Sequence, residues 1–129
     1  MKTFNETIIK NYNLLVDTLL MASPDITRLD DDKLNNYLEE LEGDYYTFLD
    51  MGTTELLVNE KIINISQQEA IFQIKLEINK IKPEFWNIES FKTDVQWINV
   101  SLASKEVLKS MGIQKTKIDN NIIIPILKF

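Results

Sequence analysis

At 129 residues, 44% hydrophobic and 26% charged, the chain has an ordinary globular composition, which excludes disordered and fibrous classes and fits one domain over 1–129. It has neither Cys nor His, which excludes disulfides, thiolate nucleophiles, Ser-His-Asp triads and metal sites built on sulfur or imidazole. The net charge of −6 is uneven: between Asp25 and Glu55 ten acids face only Arg28 and Lys33, while residues 56–129 carry ten lysines against eight acids.

In chain order, residues 4–22 read as a helix, with Phe4, Ile8, Tyr12, Leu15 and Leu19 at helical spacing and Ile9, Val16 and Leu20 widening the stripe. Ser23-Pro24 stops it, because the residue before proline avoids helical geometry. A second helix places Leu34, Tyr37, Leu38, Leu41, Tyr45, Phe48 and Leu49 on one face, with Asp30, Asp31 or Asp32 as its cap and Gly52 as its stop. Gly43 lies opposite that stripe and either weakens the helix or divides it.

Residues 54–65 read as a hairpin: Leu56-Leu57-Val58 and Ile62-Ile63-Asn64-Ile65 flank Asn59-Glu60. Residues 66–82 satisfy two patterns. Phe72, Ile74, Leu76 and Ile78 alternate with polar residues as in a strand. Against this, Ser66-Gln67-Gln68-Glu69 forms a capping box with Ile65 and Ala70 as a staple, and Ile71, Ile74, Ile78 and Ile81 make one helical stripe before Pro83. Helix is the preferred reading, and a strand would only enlarge the sheet.

Residues 83–92 suit a short helix or packed loop, and Val95–Leu102 a strand. Ser104 is placed to cap a short helix through Met111, ended by Gly112. Lys115–Ile118 and Ile122–Leu127 flank Asp119-Asn120-Asn121 as a second hairpin, with Pro125 keeping the last strand at an edge or bulge. Helices first and strands later predict an α+β fold: two amino-terminal helices on a mainly antiparallel sheet from the second half, with one or two further helices.

Few residues carry chemistry. Asp30-Asp31-Asp32 lacks the glycine of a calcium loop at its sixth position, which is Asn35. Glu39 and Glu42 share a polar helix side where solvation leaves them ordinary carboxylates, and no glycine-rich phosphate cradle exists. No metal or other cofactor is expected, and a carboxylate-dependent metal hydrolase is a minor alternative. Leu14–Ala22 is broken by Asp17 and Thr18, so it does not suit a secretory core, and no run is long enough to cross a membrane. A cytoplasmic protein without a membrane partner is expected.

The stretch Ser104-Lys105-Glu106-Val107-Leu108-Lys109-Ser110-Met111-Gly112-Ile113, followed by Ile118, resembles the first helix and turn of a helix-turn-helix motif. The resemblance covers about fifteen residues and implies DNA binding. It departs at Leu108, where that motif holds a small residue, and at Asp119-Asn120-Asn121, which lacks the Arg that would read guanine or phosphate. A capped helix entering a hairpin accounts for the same residues, so a nucleic-acid partner is disfavoured.

The charge pattern therefore leads the functional reading: a non-enzymatic, acidic inhibitor- or immunity-type protein engaging a basic protein partner through segment 25–55. The expected contact residues are Asp32, Glu39, Glu40, Glu42, Asp44 and Asp50. A phage-type structural or assembly component, with self-association, is the alternative, for which Phe85 and Trp86 form a secondary aromatic patch.

Overall fold

The computed structural model describes residues 6–113, and these form six α-helices and one 3-10 turn. The helices are α1 (Glu6–Met21), α2 (Asp31–Phe48), α3 (Met51–Asn59), α4 (Ile65–Asn79), α5 (Ile88–Thr93) and α6 (Val95–Ser110), with the 3-10 turn at Pro83–Phe85. Among the described residues there is no strand, so the expected α+β class and its antiparallel sheet are corrected to an all-helical arrangement.

Side-chain caps start five of the six helices. Asp30 accepts the Lys33 amide at 2.8 Å, Asp50 that of Gly52 at 3.2 Å and Asn64 that of Gln67 at 2.7 Å. Asn87 accepts the Ser90 amide and Asp94 that of Gln96. Each cap satisfies one of the amides that a helix start leaves without an intrahelical partner.

α1 is the central element. Tyr12, Val16 and Leu19 are wholly buried, and the helix packs on α2, α3 and α6. α2 contributes Leu34, Leu38 and Leu41, as its stripe predicts, and α4 contributes Ile71, Ile74 and Ile78 where it lies on α6 and α3. α2 runs unbroken through Gly43 to Phe48, with Leu49 as its C-cap. Gly52, expected as the stop, lies instead in the first turn of α3.

The first hairpin is replaced by α3 and a tight exit. Leu56-Leu57-Val58 is too short an apolar run to carry a period. With Asp50 as cap, only Leu57 and Thr54 turn fully inward. The reversal assigned to Asn59-Glu60 occurs at Lys61, whose φ is 61°. The Ile62 amide bonds to the Leu57 carbonyl and the Lys61 amide to that of Val58, both at 2.9 Å, closing a Schellman motif. Ile62 and Ile63 then enter the core as two buried side chains rather than as strand residues.

α4 confirms the helical alternative for 66–82, but its capping box is Asn64 with Gln67, two residues before the expected Ser66 box. The Gln67 side chain accepts the Asn64 amide at 2.9 Å and also donates to the Ser110 carbonyl at 3.1 Å, a tertiary bond. Ile65, expected as a staple, is exposed.

The expected strand 95–102 and short helix from Ser104 are one helix, α6. Ending the first segment at Leu102 hid the period of Trp97, Val100, Ser104, Val107 and Leu108, all of which face inward. Ser104 is no cap: it is fully buried in the middle of the helix, and its hydroxyl has no hydrogen-bond partner among the described residues. The helix start that the helix-turn-helix resemblance places at Ser104 is therefore absent. Gly112 does end α6, at φ 80°, with the Ile113 amide bonded to the Leu108 carbonyl at 2.8 Å. The hairpin at 115–127 with its Pro125, Ile118 and Asp119-Asn120-Asn121, together with Phe4, lies outside the described residues.

Candidate functional site

The six expected contact acids separate into three groups. At about 100° per residue, Asp32, Glu39 and Glu42 fall within an arc of about 80° on the outer side of α2. All three are exposed, and the Glu39 carboxylate accepts from Asn35 at 3.2 Å. Glu40 and Asp44, one turn apart, lie on the opposite flank. Asp44 is half-buried, and burial, followed by the charge of Glu40, pushes its carboxyl above the ordinary range.

Asp50 belongs to neither flank, because α2 ends at Phe48. Its carboxylate caps α3 and holds the Lys75 ammonium at 2.7 Å. That hydrogen bond is the main cause that lowers its pKa, against the opposing effect of burial. Lys75 has a side chain only 8% exposed and lies 3.8 Å from the centre of the Tyr46 ring and 5.7 Å from that of Phe72. Asp50, Lys75 and Tyr46 together clamp the α2–α3 corner to α4, with the cation over the aromatic face. In the sequence Lys75 is one more polar residue in an alternating run, so only the fold reveals this pairing.

Asp31, next to the expected face, is likewise engaged: Lys92 on α5 reaches its carboxylate at 2.7 Å. Among the described residues no set of three or more carboxylates converges as a metal site would require.

Phe85 and Trp86 are half-buried in an aromatic seam. The Trp86 ring meets Trp97 edge-on at 4.9 Å and Tyr45 at 6.0 Å, and Trp97 meets Phe91 at 5.0 Å. The indole N–H of Trp86 donates to the Ile81 carbonyl and that of Trp97 to the Phe85 carbonyl. These bonds tie down the Pro83–Phe85 turn between α4 and α5, so the aromatic pair works largely within the fold.

A feature that the sequence reading missed lies on α6. Val95, Ile98 and Leu102 are 64%, 43% and 59% exposed, and they follow one another along a single ridge of the helix. Read as a strand, Ile98 and Leu102 share a face and Val95 falls on the other. Read with the helical period, they fall within an arc of about 60° on the outer side of α6. Among the described residues no helix is long and apolar enough to cross a membrane. Comparison with protein-family models, curated proteins and solved structures finds no match to the chain.

Proposed function

We propose that this domain is a non-enzymatic protein-binding module of the inhibitor or immunity kind, whose α2 outer face meets a basic surface on its partner. The observation that carries the reading is a contrast among neighbouring acids. Asp31 and Asp50 are each neutralised by a lysine of the chain, while Asp32, Glu39 and Glu42 stand exposed together without a cation within salt-bridge distance among the described residues. Fixed, solvated carboxylates on a rigid helix add little to stability but project a negative field that accelerates encounter with cationic surfaces. The absence of Cys and His supports a binding role over a catalytic one. Asp50 is better assigned to the clamp than to the contact face.

The test uses a basic protein captured by the wild-type domain at low salt, purified and examined by stopped-flow. Glu39→Lys with Glu42→Lys should slow association by about tenfold or more and flatten its salt dependence, with the melting temperature preserved. An unchanged association rate and salt slope would refute the reading.

A further inference from the structure

The outer ridge of α6 continues the apolar series with two cations: Val95, Ile98, Leu102, Lys105 and Lys109 follow at steps of three and four residues. Beside the ridge, the loop after α1 brings Ile26, itself 42% exposed, against Ile98 and Leu102 to form a cleft of about 160 Å³. Buried Phe91 and Trp97 form its apolar floor. A cavity of roughly 150 Å³ accommodates a benzene ring, so the cleft has room for one bulky apolar side chain.

The charged side chains that line the cleft have one sign. Lys92 and Lys105 line it, and no carboxylate does. Asp31 holds Lys92 from the α2 side, and Asp25 pairs with Arg28 at 3.4 Å close to Lys105. Glu106, four residues after Leu102, borders the ridge on the side away from Lys105 and lines a different cleft with Ser66 and Ala70. Lys105 and Lys109 therefore extend the apolar ridge as a cationic rail, on a chain whose net charge is −6.

We propose that this ridge and cleft form a second docking surface, for an acidic peptide segment of a partner protein: one aromatic or leucine anchor fills the cleft and carboxylates flank it along Lys105 and Lys109. Exposed apolar positions in register on a rigid helix, bordered by charge, are the arrangement that recognises such segments. The surface is separate from the acidic face of α2 and selects the opposite charge.

The experiment is selection of random peptides displayed on phage against the full-length protein. The expected enrichment is for sequences with one Phe, Trp or Leu flanked by Asp or Glu. A synthetic peptide of the enriched class should lose about tenfold or more in affinity against Leu102→Glu, and similarly against Lys105→Glu with Lys109→Glu. It should bind Glu39→Lys with Glu42→Lys at least as well as wild type, which separates this surface from the α2 reading. Ile98→Ser is a milder second variant should Leu102→Glu fail to fold. Enrichment of basic peptides, no enrichment, or equal binding to Leu102→Glu would overturn the proposal. So would a dimer in sedimentation that Leu102→Glu dissolves, a photocrosslinker at Ile98 that captures residues 118–129 of the same chain, or binding to anionic phosphatidylserine vesicles that Leu102→Glu abolishes.

Discussion

α2 and α6 differ by only two residues in length and each buries one face, yet their outer faces are opposites. α2 turns Asp32, Glu39 and Glu42 to solvent over a leucine-lined inner face. α6 turns Val95, Ile98 and Leu102 outward while already burying Trp97, Val100, Val107 and Leu108 inward. The apolar outer residues of α6 are more than its packing requires. Core demand explains the leucines of α2, whose outer side also exposes Tyr46, whereas α6 has aliphatic residues on both sides, and only their burial separates structural from surface positions.

The largest effect should come from crossing α6 from its inner to its outer face. Trp97→Ala removes a buried ring, two aromatic contacts and the indole bond to Phe85, and should cost about 3–5 kcal/mol in urea denaturation. Leu102→Ser on the outer face should stay within about 0.5 kcal/mol of wild type. A Leu102→Ser loss comparable to that of Trp97→Ala would place the ridge inside the core and remove the contrast.

Next in size is the corner where α2 gives way to α3. Asp50→Asn leaves the nearly buried Lys75 ammonium without its carboxylate and should cost about 1–2 kcal/mol at neutral pH, less than a fully buried pair because the Asp50 side chain is 41% exposed. The folded-state pKa of Asp50 is depressed, so its contribution is complete above the ordinary carboxylate range and is lost as pH falls through the depressed value. Wild type and Asp50→Asn should therefore converge in stability as pH falls below the ordinary carboxylate range, as measured by denaturant midpoints across pH. Asp44 runs the other way, since its raised pKa makes ionisation oppose folding. Removing that carboxylate with Asp44→Asn should help most above the ordinary carboxylate range. A constant difference between wild type and Asp50→Asn from pH 3 to 7 would show that the ion pair is not what holds the corner.

The smallest test compares the glycines of the two helices. A Cβ added at Gly43 meets nothing within 4 Å, so Gly43→Ala should stabilise α2 by about 0.5–1 kcal/mol. Gly112 has equal space, but its φ of 80° disfavours an L side chain, so Gly112→Ala should destabilise by about 1 kcal/mol. Equal effects in thermal denaturation would mean that the Schellman exit of α6 is wrong.

By itself the sequence determined α1 and α2, because their stripes are long and their stops and caps, Pro24 and Asp30, are local chemistry. It also determined the helical preference within residues 66–82, the Gly112 stop and the concentration of acids around α2. Tertiary structure decided α3 and α6. Leu56-Leu57-Val58 and Val95–Leu102 are too short or too mixed to display a period, and β-branched and aromatic residues take either state according to what covers them. Which acids stay free was likewise settled by partners distant in the chain, since Lys75 and Lys92 reach Asp50 and Asp31 only when α4 and α5 are packed in place. The outer ridge of α6 became visible last, because an apolar residue is recognised as surface only when the rest of the core is already filled without it.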